Sequence, residues 1–491
     1  MNRRASPWIV VALAVLLVHC ARPGSTTGST RRPPAPPLRR QERGSDPFEG
    51  SFRARLAAAD PSRRFVALVD LTEQLDLATF VRRRRALSMT KAELREAVIA
   101  ALEDVARRQQ SRLDPLLASL RNDGSLTAAQ PVAIVNRVIV EGTAAALFAI
   151  ARHPDVAAVK PDWTSERSDG RTLPAVAPPG GELAESFRSW AVDAMKADRL
   201  WRQGLDGKGI VVASIDTGAF EAHEQLRLRR VPGERGWFDP VEGTTLATDR
   251  HGHGTGVLSQ AVGGNPEGRV CGIAPGARWA AALGNWRNFY ARSRMTLAAD
   301  WVLRVARPDV LVNAWSHDEG ACNDFDRPFI DAWKASGIFV VFPAGNGGPQ
   351  RATGESPAQL RGLFPDGGAA FSVAALAEGG VPQRTSSRGP SRCGSPGFPT
   401  LSAPGDELPM ASTGGPKTYV RGEGTSLSAG LVGGGAALLL QAAPETDPAT
   451  LERVMVESAR DVGPPGRDDA SGAGSVDLEA ALAVLRASPS R

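Results

Sequence analysis

Apolar and polar positions divide the chain into stretches of different period. Arg3 and Arg4 precede an unbroken apolar run from Trp8 to Val18, too short to span a bilayer comfortably, which predicts an export signal over residues 1–20. Residues 21–60 carry Pro, Arg, Gly and Ser without sustained periodicity and predict a linker. Periodicity resumes with Phe65-Val66-Ala67-Leu68-Val69-Asp70-Leu71, a strand pattern. Thr90 and Glu93 have capping-box spacing ahead of Leu94, Val98, Leu102 and Val105, which predicts a helix from Lys91. Asp114-Pro115 predicts the start of a second helix, with Asp114 as N-cap. A strand over Val132–Val140, a helix over Thr143–Arg152 and a strand over Val156–Lys160 complete a small α+β unit spanning 61–162.

Residues 163–188 are polar and rich in Pro and Gly, as an accessible processing linker requires. Over 189–487 the pattern changes to near-continuous apolar strands at Ile210–Ile215, Arg278–Leu283, Val310–Val312, Phe339–Phe342 and Phe371–Ala375. Helical stretches such as Leu297–Arg307 and Phe329–Ala335 lie between them. This alternation predicts an α/β domain: a parallel sheet with helices on both faces and its chemistry at the carboxyl ends of the strands.

Composition changes the picture only a little. A chain of 491 residues with 42% hydrophobic and 23% charged content is long enough for two folded units and ordinary for a globular protein. The net charge of +5 is small for this length, and the Arg clusters at 31–45 and Arg82–Arg85 lack interleaved aromatics, so no nucleic-acid partner is expected. Cys271, Cys322 and Cys393 follow the export signal and allow one disulfide with one odd thiol, whose pairing spacing does not fix. They match no zinc pattern, His251 and His253 lack further ligands nearby, and no carboxylate-rich loop commits to calcium; no metal and no cofactor are expected.

Four motifs carry candidate chemistry. In GKGIVVASIDTGAFEAHEQL an apolar strand runs into Asp216, placed to accept a hydrogen bond from an imidazole. In DRHGHGTGVLSQAVG, His253 opens a helix among glycines that permit close backbone approach. In VFPAGNGGP, Asn346 lies in a glycine-rich turn after a strand, where its amide can donate to an oxyanion. In GEGTSLSAGLVGGGAALLLQ, Ser426 opens an apolar helix whose N-terminus offers free N–H groups and partial positive charge. Each alone also reads as an ordinary turn or helix start.

The set in the order Asp, His, Asn, Ser resembles the subtilisin-like serine proteases, and with segments such as GWFDPVEG, GIAPGARWAAAL, PDVLVNAWS and SSRGPS most resembles the bacillopeptidase F branch. The resemblance implies a secreted or lipid-anchored serine endopeptidase with Asp216, His253 and Ser426 as triad and Asn346 in the oxyanion hole. It implies that Ala314, Trp315, Ser316, Ala344 and Gly345 line a cleft for protein or peptide substrates. PVAIVNRVIVEGTAAALFAIARHPDVAAVKPD resembles the prodomains of these enzymes, which implies a ferredoxin-like inhibitor and chaperone over 61–162, cut away by autoprocessing. Leu17-Val18-His19-Cys20 resembles a bacterial lipobox, with His19 where a small residue is usual; Cys20 is the one membrane attachment this implies.

Three positions depart from the family pattern. Gly256 replaces a usual His and is expected to loosen the helix carrying His253; Gly430 replaces Pro and is expected to alter helix entry; Ser316 replaces Gly and is expected to narrow the cleft. They keep open an alternative in which the fold is a weak or inactive peptide-binding module.

Overall fold

The computed structural model describes residues 36–85, 87–162, 164–166, 186–265, 268–286, 289–316, 322–360 and 370–487. The predicted export signal, the Cys20 site and most of the processing linker lie outside the described residues.

The N-terminal unit runs β1 (Arg64–Leu71), α1 (Lys91–Asn122), β2 (Leu126–Val132), β3 (Arg137–Thr143), α2 (Ala144–Ala151) and β4 (Val156–Pro161). Its antiparallel sheet has the order β2-β3-β1-β4, the β-α-β-β-α-β arrangement of ferredoxin-like folds. The capping box of α1 is formed: the Thr90 hydroxyl accepts from Glu93 N, and Glu93 Oε2 accepts from Thr90 N at 2.8 Å.

Two predictions for this unit fail. No second helix starts at Asp114; α1 continues through Pro115 to Asn122. Leu113, Leu117 and Leu120 extend its buried stripe, and their burial outweighs the roughly 3 kcal/mol that an interior proline costs. The strand expected over Val132–Val140 is broken by a turn at Ala133–Asn136, where Asn136 takes φ 39°. The apolar run is real, but Ile134 and Val135 bury against the C-terminal domain instead of extending a strand.

The C-terminal domain contains β6 (Val211–Asp216), β7 (Trp237–Phe238), α3 (His253–Val262), β8 (Arg278–Leu283), β9 (Phe289–Ala291), α4 (Arg292–Trp301), β10 (Val310–Val312), α5 (Arg327–Ala335), β11 (Phe339–Pro343), β12 (Phe371–Leu376), β13 (Leu401–Pro404) and α6 (Thr425–Ala442). Seven parallel strands form one sheet in the order β7-β8-β6-β10-β11-β12-β13. After β6 the chain goes to the edge strand β7, returns to β8 beside β6 and then crosses to β10 on the other side, which puts a topological switch at the carboxyl end of β6. Alternate strand residues feed two cores: Val212, Val310, Val312 and Val341 pack under α3 and α6, whereas Ala213, Ile215, Leu311 and Val340 pack under α4 and α5. The helix predicted over Leu297–Arg307 begins earlier, at Arg292, and closes through a wide turn at Val302–Ala306. Helix α6 is apolar enough by length and composition to cross a bilayer, but it is buried among the strands as a core helix.

The second core runs without a break into the N-terminal unit, taking in Leu68, Val98, Leu102 and Ile139. Around this apolar contact, Asp300 on α4 accepts from the backbone of Ala133 and Ile134 at 3.2 and 3.0 Å. Asp162 caps the start of α4 from outside, accepting from Ser293 N at 2.9 Å and Ser293 Oγ at 2.6 Å. Arg137 joins Asp70 in its own sheet to Thr296 on α4. Beyond Asp162 the chain adds a strand, β5 (Thr164–Glu166), antiparallel to β9.

Candidate active site

The site assembles at the carboxyl ends of the central strands. Asp216 is the last residue of β6 and is completely buried. Its Oδ1 lies 2.7 Å from His253 Nδ1 and accepts from Thr217 N at 2.7 Å. An ionised carboxylate only accepts, so Nδ1 carries the hydrogen and Nε2 is left as the basic ring nitrogen.

His253 is the first residue of α3, and the chain enters that helix through Gly252 at φ 98°. Asp249 fixes this entry. Its Oδ1 accepts from Thr217 Oγ1, His251 N and Gly252 N, and its Oδ2 from Thr255 N and Thr255 Oγ1, at 2.7–3.0 Å. Thr217 Oγ1 in turn accepts from Gly254 N at 2.9 Å. A Cβ at Gly254 would lie 2.2 Å from Gly218 O, so only glycine lets α3 approach the turn after β6 this closely. Sequence reading passed over Asp249; its place four residues before His253 was the available signal.

Ser426 is the second residue of α6 and almost fully buried. Helices α3 and α6 touch in register: a Cβ at Gly434 would meet Ala261 O at 2.5 Å, and one at Gly430 would meet Val257 O at 2.7 Å. Each contact steps four residues along both helices, so the helices run in the same direction, and the same step further back leads from Gly430 to Ser426 and from Val257 to His253. Its hydroxyl donates to Ala314 O at 3.4 Å. The Ser426 N–H lies in the first turn of α6, where intrahelical acceptors are missing.

Asn346 sits in the turn after β11. Its side-chain oxygen accepts from Thr425 N at 3.1 Å and Thr425 Oγ1 at 3.0 Å, which leaves the amide NH2 as its outward end. Ser387 steadies the turn, donating from N to Gly345 O at 2.9 Å and accepting from Gly347 N at 3.0 Å.

The predicted cleft residues lie on the extensions of β10 and β11, neighbouring parallel strands. Ala314 offers its carbonyl, but the Trp315 ring turns into the second core against Phe342, so only its backbone remains at the wall. Ala344 N donates to Val373 O at 2.9 Å, and Gly345 takes φ 111°. Ser316 donates from Oγ to Glu355, whose other oxygen accepts from Asn346 N at 3.0 Å. Sequence reading missed Glu355, because nothing in its local pattern separates it from a loop carboxylate.

The three departures have structural answers. The space a side chain would take at Gly256 holds Met410, with Sδ 2.8 Å from the Cβ position, so the helix is packed and not loosened. Gly430 leaves α6 continuous and permits its close contact with α3. Ser316 donates its hydroxyl to Glu355. The disulfide left open by the sequence joins Cys322 to Cys393, and burial pushes the Cys271 thiol pKa up.

The subtilase family model matches residues 207–474. The chain is 28% identical to bacillopeptidase F of Bacillus subtilis over 400 residues, covering 75% of this chain and 27% of that protein. It is 27% identical to serine protease AprX of the same species over 318 residues (59% of this chain, 70% of that one). It is 28% identical to fervidolysin of Fervidobacterium pennivorans over 358 residues (67% and 48%). The match thus spans about a quarter of bacillopeptidase F and about half of fervidolysin. With that model covering more than half of the sequence, on the domain that carries Asp216 at a strand end and His253 and Ser426 at helix starts, the chain belongs to the subtilase family.

Proposed function

We propose that the chain is a serine endopeptidase made as an autoprocessed precursor, with Ser426 as nucleophile, His253 as general base and acid, and Asp216 as the group that orients the imidazole. The observation that carries this reading is the buried 2.7 Å contact between Asp216 and His253, with Ser426 one helical turn back along two helices packed in register. Ser426 Oγ attacks the peptide carbonyl while its proton passes to His253 Nε2. The imidazolium is stabilised by Asp216 and then protonates the leaving amine, and water hydrolyses the acyl-enzyme by the reverse path. The Asn346 amide and the Ser426 N–H stabilise the tetrahedral oxyanion. In a subtilisin, a family relative, loss of such an Asn donor costs about 10²–10³ in kcat, and a drop of that order is expected for Asn346→Ala.

The unit at 61–162 is the inhibitory prodomain in this reading. Its exit strand β5 pairs with β9, an edge an extended substrate can also use. Removal follows cleavage within 163–188. Residues 1–20 direct export, and the product is secreted or held at the cell envelope through Cys20. A fluorophosphonate probe should label the wild-type protein at Ser426, and Ser426→Ala should abolish both labelling and shortening of the precursor. Full labelling of the alanine variant would remove Ser426 as nucleophile. A chain that stays unlabelled and full-length yet binds extended peptides would establish the inactive peptide-binding module instead.

A further inference from the structure

The floor of the cleft carries a buried acid that the proposed chemistry does not use. A carbonyl carbon within reach of Ser426 Oγ, with its oxygen toward the Asn346 amide, lies between the extensions of β10 and β11. Those extensions stay in register past the strands, since Asn313 N donates to Val341 O at 3.0 Å. One wall is then Ala314–Ser316 and the other Ala344–Asn346, and the side chain of the residue that owns the carbonyl drops between them. Glu355, 3% exposed, lies between these two walls. Its carboxylate joins the walls, accepting from Ser316 Oγ on one side and from Asn346 N at 3.0 Å on the other. Gly345 makes room for it: a Cβ there would lie 2.5 Å from Glu355 Cδ.

We propose that Glu355 is a specificity-determining residue that selects Arg or Lys at the position donating the scissile carbonyl. The inference rests on the assignment of Ser426 as nucleophile. Both carboxylate oxygens accept from donors, the arrangement of an ionised group, and the slot is walled by protein. An apolar side chain entering it would strip remaining water from a negative charge without compensation, whereas a guanidinium or ammonium group would bring a paired charge and donors of its own. Ser316 shares the carboxylate with the incoming cation or turns its hydroxyl aside.

The test uses the full processed protein and tetrapeptide p-nitroanilides that differ only in their last residue. Arg and Lys substrates should exceed Leu and Phe substrates in kcat/KM by at least about tenfold. Glu355→Gln keeps an acceptor for Asn346 N and should bring the Arg-to-Leu ratio toward one; as a ratio within one preparation, it is insensitive to how much variant folds. Benzamidine should inhibit the wild type competitively, a measurement that needs no variant. A wild type that prefers Leu or Phe, or a ratio unmoved in Glu355→Gln, would overturn the proposal while fluorophosphonate labelling left the nucleophile standing. Absence of labelling in the wild type would remove both.

Discussion

At the residue scale, Asp249 organises the site without belonging to the reacting set. It accepts five hydrogen bonds that tie the turn after β6 to the first turn of α3, and it is 6% exposed. Replacing it by alanine leaves buried donors at Thr217 and Thr255, and half-buried ones at His251 and Gly252, without their acceptor. A loss of about 3 kcal/mol is expected from the desolvation cost of such orphans. It should appear as a lower midpoint in denaturant unfolding. Because the same bonds fix the entry to His253, kcat should fall with KM less affected; a stable Asp249→Ala protein with full kcat would deny the positioning role.

At the element scale, the catalytic arrangement depends on how closely α3 and α6 lie. Gly430 sits at their contact, and an added Cβ would come 2.7 Å from Val257 O, a backbone atom that cannot swing away. Gly430→Ala gains up to about 1 kcal/mol of helix propensity, but overpacking costs about 1–3 kcal/mol. The expected result is lower thermal stability together with slower fluorophosphonate labelling of Ser426, since spreading the helices moves Ser426 from His253. Gly256 works differently, because the neighbour there is Met410, a flexible side chain. Gly256→Ala should therefore cost less than Gly430→Ala in the same thermal scan.

At the scale of the whole molecule, the two units share one apolar core, and the polar groups beside it make the stability of the N-terminal unit pH-dependent. Asp70 is buried, which raises the pKa of its carboxyl, but the charges of Arg137 and Lys160 outweigh burial and hold it down at about 2 against an ordinary value of 3.8. The folded state thus binds this proton less tightly than the unfolded chain. The contribution, about 2 kcal/mol, is fully present above pH 3.8 and is lost as the pH falls toward 2. Asp162, at the start of α4, has the opposite sign: burial raises its pKa, so the docked state favours its protonated form. Unfolding of the N-terminal unit in the Ser426→Ala precursor should show a drop in midpoint between pH 4 and 2. Asp70→Asn should flatten that drop, and an unchanged acid limb in this variant would contradict the assignment.

The sequence by itself determined the fold class, the places of the main strands along the chain and the four motifs, because each rests on local information. Continuous apolar strands mark a sheet covered on both faces, and Asp216, His253, Asn346 and Ser426 stand at element ends that punctuation residues reveal. The capping box at Thr90 and Glu93 is local in the same sense. Tertiary structure decided what depends on distant neighbours. Pro115 stays inside a helix because Leu117 and Leu120 beyond it are buried, and the apolar run at Ile134–Val135 turns because its partner is another domain. Cys322 meets Cys393 across 71 residues. The supports Asp249 and Glu355 are single carboxylates with no periodic signature; their meaning comes only from the backbone donors and cleft walls that folding brings around them.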